Sequence, residues 1–503
     1  MKVIDCFIFY NELDMLKCRL YENYNIVDYF VLVESNKSFS NNPKQLIFEE
    51  NKNLFSDFLD KIIHIKVDDM PDGCDAWRRE YHQRDCIKRG LDKVPNLNDD
   101  DLILISDVDE IIRNKTIQKL KNSKHRQIYN LHMDLYYYNL ETKSSDADSW
   151  RHVRAGPYGL IKNYDKISNL RRKNFEIIGK CGWHLSYFGG AEKIKNKIQN
   201  FSHQEFNKSI YVDADSIQSK IDKKQDIFGR NCHGKFNNIP IEKNDDLPLY
   251  YSCILFPSLK PLTYMGIRYN TDNSYFHLFS EFYNDYFKKI RTSEITILEI
   301  GVYEGRTLKL LEDYFPNSKL YGIDTRTTYV EQICDERIKT YHCTQDDFEK
   351  IDSHLNGIKF DIIIDDGTHQ TIHQQKSLGH MFRYLNPSGI YICEDLHTSY
   401  DKGGLCNTNI STLDMLENYV SYTNYDNYDS YCLEPTIKSD CIPSEQLEYL
   451  NDNIESVEIF KRDKNAIRCW KCKKNNVENS FTCECGVDLS INSHSITSVI
   501  VHK

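Results

Sequence analysis

Two stretches of this sequence drive an apolar run straight into a group of carboxylates. Residues 102–110 read LILISDVDE, and residues 360–370 read FDIIIDDGTHQ. Short runs of aliphatic and β-branched residues are typical of buried strands in a parallel sheet. In open α/β sheets, ligands bind beyond the carboxyl ends of the strands. The two stretches therefore predict two separate sites in two α/β domains.

The chain has 503 residues, which is too long for one hydrophobic core, so two or three domains are expected. Strand-like and helical segments alternate over residues 1–235 and again over 263–465, a rhythm typical of largely parallel sheets with helices outside. Residues 236–262 lose this periodicity and are expected to be a linker. Residues 466–503 are expected to form a small cysteine-rich tail.

Composition argues against several classes of function. A net charge of −11 lacks the basic footprint of a nucleic-acid-binding protein. The N-terminus resembles a first strand more than a signal peptide, and no run of about 18 apolar residues predicts a membrane span. Seventeen cysteines without a secretory signal favour reduced thiols and a cytoplasmic protein. Nothing in the sequence indicates the oligomeric state.

Asp107 and Asp109 form the first candidate site. Alternate residues of an extended segment point the same way, so the two carboxylates can converge on one object. A divalent cation that bridges a diphosphate suits them, because carboxylates and phosphate oxygens are both hard ligands. The alternative is a solvated acidic turn after a strand.

An ordered series of segments over residues 1–210 resembles glycosyltransferase family 17, which includes N-acetylglucosaminyltransferases of N-glycans. The resemblance implies a GT-A-like fold, a nucleotide-sugar donor, a glycan or glycoside acceptor, and Mn²⁺ or Mg²⁺ at Asp107 and Asp109. His184 is a candidate third ligand, with a hydrogen-bonded core histidine as the alternative. The segments are FYNELDMLKCRLYEN (9–23), VDYFVLVESNKSFSNNPKQLIF (27–48), WRREYHQRD (77–85), DLILISDVDEI (101–111) and GKCGWHLSYFGG (179–190).

Charged residues near the expected cleft are candidates for donor binding. Guanidinium groups match phosphate geometry, although the arginines of one helix can equally form a charged exposed face. Acidic residues at the first two strand ends could hold the nucleoside or cap helices. The arginines are Arg78, Arg79 and Arg84, and the acidic residues are Glu12, Asp14 and Glu34. A carboxylate base is also expected if the anomeric centre inverts, with Asp134 and Glu205 as unranked candidates.

The stretch ILEIGVYEGRTL predicts a nucleotide site in the second domain. Gly301 and Gly305 allow close approach of a ligand to the backbone, and Glu299 supplies an acceptor. Asp324 ends the next strand, where a carboxylate can accept from two ribose hydroxyls. An NAD-dependent Rossmann dehydrogenase is the rival to S-adenosylmethionine binding, but the G-x-G-x-x-G pattern is absent here.

Acidic residues follow two apolar strands of this domain. Asp366 and His369 lie beyond the first strand, and Glu394 and Asp395 lie beyond the second. Neighbouring strands are about 4.8 Å apart, so these groups can gather around one small ion. An oxygen-rich site of this kind prefers Mg²⁺, and His369 is close enough to accept the proton of a metal-bound hydroxyl.

Residues 264–465 resemble the Mg²⁺-dependent macrocin- and mycinamicin-type sugar O-methyltransferases, which have the Rossmann-like class I fold. The resemblance implies metal ligands at Asp366, Glu394 and Asp395, with His369 as the base. It also implies that Thr271, Asp272 and His277 line the S-adenosylmethionine pocket, and that Gln345 contacts the adenine because Thr344 replaces the usual acid. The matching segments are RYNTDNSYFH (268–277), LEIGVYEGRTL (298–308), GIDT (322–325), IIDDGTHQ (363–370) and GIYICEDLHTSY (389–400).

Four cysteines of the tail have the spacing C-x2-C followed by C-x-C. They are Cys469, Cys472, Cys483 and Cys485. Paired thiolates suit tetrahedral Zn²⁺, and the alternative is a terminal hairpin with free thiols.

The sequence as a whole predicts a bifunctional glycan-modifying enzyme. The first domain transfers a sugar from a nucleotide-sugar donor, and the second methylates a sugar hydroxyl with S-adenosylmethionine and Mg²⁺. The alternative is that only one domain is active and the other is a glycan-binding or scaffold module.

Overall fold

The structure is a computed structural model. It describes the whole chain except residues 124–126, 147–149, 231–234, 245, 327–333, 335, 402–403, 424–435, 477–479 and 491–494. The chain divides into two compact units, Met1–Pro257 and Ser258–Lys503. No helix in the described ranges is long and apolar enough to span a membrane.

The described residues of the first unit form a ten-stranded sheet with the main order β10-β7-β6-β8-β4-β1-β2-β3. Four neighbouring strands, β4, β1, β2 and β3, are parallel, and β8 pairs with β4 in the antiparallel sense. Strand β9 pairs with β5 and β6. The strands are β1 Val3–Phe9, β2 Tyr29–Ser35, β3 Ile62–Val67, β4 Leu102–Asp107, β5 Glu110–Ile112, β6 Tyr129–Tyr137, β7 Thr142–Ser144, β8 Val153–Pro157, β9 Glu176–Ser186 and β10 Phe236–Asn238.

Strands β1, β2 and β4 are apolar on both faces because helices or loops cover both sides of the sheet. Every residue of β1 is buried, and one core packs β1, β2 and β4 against the helix Ile87–Leu91. The α-helices of this unit are Leu13–Asn23, Ile47–Glu50, Ala76–Asp85, Ile87–Leu91, Asn114–Asn122, Tyr158–Ile161, Ile167–Arg172, Gly190–Asn200, Ser209–Val212, Ala214–Asp222 and Ser252–Leu255.

In the second unit, the described residues form a seven-stranded sheet with the order β13-β12-β11-β14-β15-β17-β16. The first five strands are parallel, and β17 is antiparallel to both of its neighbours. This is a doubly wound sheet whose order reverses between β11 and β14. The strands are β11 Thr296–Ile300, β12 Lys319–Asp324, β13 Ile338–His342, β14 Phe360–Asp365, β15 Leu385–Cys393, β16 Ile454–Lys461 and β17 Ile496–His502.

Helices accompany this second sheet and bury its apolar strands. The helix Thr371–Met381 contributes Leu378 and Met381 to the core that also holds Ile363 and Tyr391 of the sheet. The described α-helices of this unit are Pro261–Tyr269, Asp272–Tyr275, Phe279–Ile290, Arg306–Tyr314, Phe348–Leu355, Thr371–Met381, Thr412–Thr423 and Ser444–Asn453.

Two segments are used differently from the expectation. Residues 236–257, expected in a linker, add β10 and the helix Ser252–Leu255 to the first unit, where Phe236 stacks on Tyr137 at 4.8 Å between ring centroids. Residues 496–502, expected in a tail, form β17 in the second sheet, between β15 and β16. Strand β17 is drawn in because its apolar side chains are buried in the sheet, whereas β10 contributes mainly the partly buried Phe236.

Gly182 tests the packing of β9 against β5. A Cβ at Gly182 would lie 2.1 Å from the carbonyl oxygen of Ile111, so Gly182→Ala should lower the free energy of unfolding of the first unit by about 3 kcal/mol. Gly179 lies in the same strand with nothing within 4 Å, so Gly179→Ala should change it by less than about 0.5 kcal/mol. Urea unfolding followed by circular dichroism measures both, and equal midpoints would contradict this packing.

Candidate active sites

The carboxyl ends of β1 and β4 open onto a cavity of about 1060 Å³ in the first unit. Strand β1 lies between β2 and β4, so the strand order reverses there, which is where ligands bind in open α/β sheets. Asp107 ends β4, Asp109 follows two positions later, and both line the cavity. The Glu110 carboxylate accepts from the backbone N–H of Asp107 at 2.7 Å and closes this acidic turn.

Two arginines, from helices that are far apart in the sequence, pair with the acidic turn. Arg84 Nη1 lies 2.6 Å from Asp107 Oδ1, and Arg171 Nη2 lies 2.7 Å from both Asp107 Oδ2 and Glu110 Oε1. Burial opposes the ionisation of Glu110, yet the Arg171 guanidinium lowers the pKa of Glu110 to about 2. Glu110 therefore stays ionised at neutral pH, and the two arginines balance the charge of the turn.

Asp109 lies between Lys197 and His184. Its Oδ2 is 2.9 Å from Lys197 Nζ and 3.8 Å from His184 Nε2. Burial opposes ionisation of this carboxyl, but the charge of Lys197 lowers the pKa of Asp109 below its usual value. Burial lowers the pKa of His184, whose ring packs on Trp150 at 4.0 Å between centroids.

His184 fits the third-ligand role that the family resemblance implies. Its Nε2 is the ring nitrogen that faces Asp109, and the lowered pKa favours the neutral imidazole. A site that combines a neutral imidazole with carboxylates suits Mn²⁺ better than a site with oxygen ligands alone. Asp107, Asp109 and His184 all line this cavity, and they remain the predicted ligands of a divalent ion.

The structure brings some of the other expected donor-binding residues to this cavity and leaves others out. Glu12 lines the cavity, accepts from the backbone N–H of Asn11 at 3.0 Å and lies 4.0 Å from Lys197 Nζ. Arg84 lines it as well. Glu34 does not, because its carboxylate is buried against His64 and the backbone N–H of Phe48.

The remaining expected residues are held elsewhere. Arg78 is exposed. Glu80 and Arg84 form the face of this helix that lines the cavity, and Arg78, two positions before Glu80, lies on another face. Arg79 donates to backbone carbonyls of Phe39 and Cys74. The other three pair with neighbouring basic side chains: Asp14 with Lys193, Asp134 with Arg113, and Glu205 with His203.

Sequence reasoning missed Arg171 and Lys197. Both lie on helices whose sequences are typical of charged, solvent-exposed segments. Arg171 is 64 residues from its partner Asp107, and Lys197 is 88 residues from its partner Asp109. A partial signal existed for Lys197, because the buried Ile194 and Ile198 mark the inner face of its helix. For Arg171, the sequence carries no comparable signal.

In the second unit, a cavity of about 700 Å³ lies at the switch point between β11 and β14. Gly301 has a φ of +90°, and a Cβ there would lie 2.1 Å from the carbonyl oxygen of Asp366. Glu299 is buried beneath the cavity and its Oε2 has no hydrogen-bond partner among the described residues. Burial, with Glu394 nearby, raises the pKa of Glu299 well above its usual value. A buried carboxyl oxygen without a partner is available to a polar group of a ligand.

Most of the expected cofactor-binding residues line this second cavity. They are Glu299, Gly301, Asp324, Gln345, Thr271, Asp272 and His277. Gly305 does not line it; with a φ of +71°, it begins the helix Arg306–Tyr314 instead. The Gln345 amide is used internally, because it donates to Asp365 and Ser377 and accepts from the backbone N–H of Thr368.

Asp366, Glu394 and Asp395 form an acidic cluster on the same cavity. Burial and the charges of Glu394 and Asp395 raise the pKa of Asp366 well above its usual value. Burial, with Asp395 as the main charged neighbour, raises the pKa of Glu394 to about 8. The Glu394 carboxylate accepts from the Tyr283 hydroxyl at 2.9 Å. The described residues supply no basic partner within ion-pairing distance except histidine, so a cation fits this cluster.

His369 lies against this cluster. Its Nδ1 is 3.8 Å from Asp366 Oδ1 and 3.6 Å from Asp395 Oδ2. Each of these three residues offers one possible ligand atom, and these atoms lie within 4.8 Å of one another. His369 and Asp395 both have positive φ, at 59° and 55°, which is uncommon for residues with side chains and clusters at functional sites. Among the described residues, His369 Nδ1 and Asp395 Oδ1 have no hydrogen-bond partner.

His397 is a neighbour of this cluster that sequence reasoning missed. Its Nδ1 lies 3.6 Å from Asp395 Oδ1, and its ring stacks near that of His277 at 6.0 Å between centroids. The signal was present, because His397 follows Asp395 by two residues in the segment EDLHTS. Three histidines therefore surround Asp395: His277, His369 and His397.

The fold and the two cavities define a chain with two α/β units, each with a cavity at a strand-order switch point. Residues 1–261 match glycosyltransferase family 17, and residues 291–441 match a family described as a methyltransferase domain. The first match spans more than half of the chain, which therefore belongs to glycosyltransferase family 17 and carries a methyltransferase domain in its second unit. These matches confirm the fold class and both family resemblances predicted from the sequence.

Individual relatives fall into the same two groups. The chain is 32% identical over 157 residues to the mycinamicin VI 2''-O-methyltransferase of Micromonospora griseorubida, covering 29% of this chain and 39% of the relative. It is 31% identical over 115 residues to the β-1,4-mannosyl-glycoprotein 4-β-N-acetylglucosaminyltransferase of Rattus norvegicus, covering 22% and 21%. The chain thus spans about two fifths and one fifth of these relatives.

One solved structure illustrates the level of structural similarity. The MycE methyltransferase of the mycinamycin biosynthetic pathway, in complex with Mg, SAH and mycinamycin VI, aligns with a TM-score of 0.34 at 17% identity. The alignment covers 75% of this chain and 84% of that one.

The Arg171–Glu110 pair predicts a loss of stability on mutation. Arg171→Ala leaves the fully buried Glu110 without its main cation, so the free energy of unfolding of the first unit should fall by about 3 kcal/mol. Arg172→Ala, at the adjacent exposed arginine, is the matched control and should cost less than about 0.5 kcal/mol. Urea denaturation distinguishes them, and identical midpoints would show that Arg171 does not hold Glu110.

The acidic cluster of the second unit predicts a pH dependence. Because the pKa of Glu394 is raised to about 8 in the folded chain, its contribution to stability is full below about pH 4.5 and is lost as the pH rises toward 8. Without added metal, the wild type should therefore lose at least about 2 kcal/mol more than Glu394→Gln between pH 5 and pH 8.

Calorimetry at several pH values measures this difference. Glu448→Gln changes an exposed glutamate of the same unit, and its pH dependence should follow that of the wild type. Parallel curves for the wild type and Glu394→Gln would contradict the charge crowding in the cluster.

Proposed function

We propose that this chain carries two transferase activities that act on glycans. The first unit transfers a sugar from a nucleotide-sugar donor to a glycan or glycoside acceptor. The second unit transfers the methyl group of S-adenosylmethionine to a sugar hydroxyl. The observation that carries the proposal is the presence, in each matched unit, of buried carboxylates that line a cavity at the carboxyl ends of parallel strands.

In the first unit, the basic side chains around the acidic turn explain how a nucleotide sugar would be held. Arg84, Arg171 and Lys197 line the cavity and can donate charge-assisted hydrogen bonds to a diphosphate. The same positive charges stabilise the negative charge that develops on the nucleoside diphosphate as the glycosidic bond to it breaks. Trp77 and Tyr81 line the same cavity and offer aromatic faces to a sugar or a base.

Asp107, Asp109 and His184 would hold Mn²⁺ or Mg²⁺ in this cavity. When bound, the ion supplies further positive charge to the leaving diphosphate. The same carboxylates pair with Arg84, Arg171 and Lys197, so binding of the ion would release these cations toward the diphosphate.

In the second unit, Asp366, Glu394 and Asp395 would hold Mg²⁺, with Glu299 and Asp324 as acceptors for the polar groups of S-adenosylmethionine. When bound, Mg²⁺ makes a coordinated sugar hydroxyl more acidic. His369 lies beside the carboxylates and accepts the hydroxyl proton while the oxygen attacks the methyl carbon and the bond from that carbon to sulfur breaks. The Gly301 backbone allows the close approach of the methyl donor.

We also propose that the C-terminal cysteines hold a structural Zn²⁺ ion. The four thiols of Cys469, Cys472, Cys483 and Cys485 lie within 4.8 Å of one another. The ion would be closed to substrate, since four thiolates complete a tetrahedral site.

Product analysis with two single-site variants tests the proposed activities. The protein is incubated with a panel of nucleotide sugars, candidate glycoside acceptors and S-adenosylmethionine that carries a deuterated methyl group. Lys197→Met removes one cation of the first cavity, and His369→Asn removes the proposed base with a residue that tolerates positive φ. Mass spectrometry of the products reads sugar transfer and methyl transfer separately.

Each variant serves as the control for the other. We expect His369→Asn to lower methyl transfer at least about 100-fold with sugar transfer unchanged. Lys197→Met should lower sugar transfer and leave methyl transfer unchanged. A methyl-transfer rate for His369→Asn equal to that of the wild type would exclude His369 as the base, and absence of both products with every donor would overturn the proposal.

A further inference from the structure

The cysteine cluster contacts the wall of the cavity in the second unit. Cys469 Sγ lies 3.5 Å from Cys485 Sγ, and Cys472 Sγ lies 3.4 Å from Cys483 Sγ. Four thiolates bound to one Zn²⁺ at about 2.3 Å are separated by roughly 3.8 Å, so this arrangement needs only a small adjustment to hold the ion. The cluster is therefore a built site in spite of its unusual C-x-C spacing.

Two similar backbone turns present the thiols. In the first, Lys473 N–H donates to the carbonyl of Cys469 and has a φ of +62°. In the second, Gly486 N–H donates to the carbonyl of Cys483 and has a φ of +86°. Each turn closes on itself and points two sulfurs inward, so the C-x-C pair converges as well as the C-x2-C pair.

The first turn also forms part of the cavity wall. Trp470 and Lys473, which lie between and beside the first two cysteines, line the cavity together with Asp272 and Glu299. Trp470 is 49% exposed although it is a large aromatic residue. An indole held at the rim of a cavity without being buried is available to pack against a ligand.

Tyr275 connects this turn to the segment 271–277, which also lines the cavity. Its hydroxyl accepts from Lys473 Nζ at 2.6 Å, and its carbonyl accepts from the backbone N–H groups of Ile467 and Arg468. Tyr275 belongs to the short helix Asp272–Tyr275, next to Thr271 and His277 of the cavity wall.

A small apolar core packs the two segments together. Cys469 packs with Ala466 and Leu489, and Phe276 packs against them from the segment that follows Tyr275. Four thiolates around an ion would fix the first turn against the second, and this core would transmit the constraint to residues 271–277.

We propose that Zn²⁺ bound by the four cysteines organises one wall of the methyl-donor cavity, so that zinc loading sets the affinity for S-adenosylmethionine. The proposal rests on the proposed methyl transfer for the identity of the ligand. The zinc ion acts through position alone: Trp470 and Lys473 contact the ligand, and the ion fixes where they stand.

Zinc content and ligand affinity, measured on the same samples of the full chain, test the proposal. Zinc is counted by inductively coupled plasma mass spectrometry, and the affinity for S-adenosylhomocysteine is measured by titration calorimetry. The double variant Cys483→Ser/Cys485→Ser removes zinc without a chelator that would also remove Mg²⁺. We expect one zinc ion per wild-type chain, none in the double variant, and an affinity at least tenfold weaker in the double variant.

Variants that retain the ion separate the wall from the metal. Trp470→Ala and Lys473→Met should keep one zinc per chain and still weaken the affinity at least fivefold. Phe481→Ala changes another exposed aromatic residue of the same segment that does not line the cavity, and should leave zinc and affinity unchanged. These variants keep the test decisive if the double variant fails to fold.

Several results would overturn the proposal, and they are distinguishable. A wild-type chain with no zinc, or with disulfides in place of free thiols, overturns the metal site. Full zinc occupancy with unchanged affinity in Trp470→Ala and in Lys473→Met overturns the coupling to the cavity. A zinc-loaded wild-type chain that does not bind S-adenosylhomocysteine overturns the proposed methyl transfer, and the coupling with it, while the zinc count still reports on the metal site.

Discussion

Carboxylates buried at the ends of parallel strands are the constraint on which both units depend. Removing an ionised carboxylate from water costs several kcal/mol unless a cation or hydrogen bonds compensate it. In the first unit the chain supplies the cations itself, through Arg84, Arg171 and Lys197. In the second unit the carboxyls mainly face one another, and the pKa of Glu394 is raised to about 8 by burial and by Asp395.

The two sites therefore differ in what an incoming cation must displace. In the first cavity, a divalent ion competes with ion pairs of 2.6 to 2.9 Å that already neutralise Asp107 and Asp109. In the second cavity, an ion would replace protons, because burial and charge crowding raise the pKa values of Asp366 and Glu394. Under the proposed function, ion binding in the second unit would be coupled to proton release, and in the first unit to rearrangement of basic side chains.

The sequence was sufficient where function follows from local pattern. An apolar strand followed by acids located Asp107, Asp109, Asp366, Glu394 and Asp395, because strand direction alone decides which end of a parallel sheet carries them. The alternation of strands and helices likewise predicted both sheets. The antiparallel extension through β8 and β6 could not be predicted, since strand pairing between distant segments depends on tertiary packing.

Residues that meet across long sequence separations were beyond the reach of local pattern. Arg171 and Lys197 read as charged helix faces and became cavity residues only because the fold places their helices over the acidic turn. Glu34 shows the opposite case, a residue expected in the cavity that does not line it. It lies near the end of its strand as expected, but the segment that contains Phe48 covers it and donates a hydrogen bond to its carboxylate. The direction of a strand can be predicted from the local sequence. The segments that cover the end of the strand come from elsewhere in the chain and cannot be predicted in this way.

The position of the C-terminal cysteine-containing segment also depends on strand pairing between distant parts of the chain. Because β17 pairs with both β15 and β16, the cysteine-containing segment is an insertion between two adjacent strands of the sheet. Both ends of such an insertion are fixed, so closing it costs less conformational entropy than ordering a free tail. Its backbone bonds to Tyr275 reach the helix Asp272–Tyr275 on the cavity wall. A segment that seemed separable by composition is thereby part of the structure that shapes the second site.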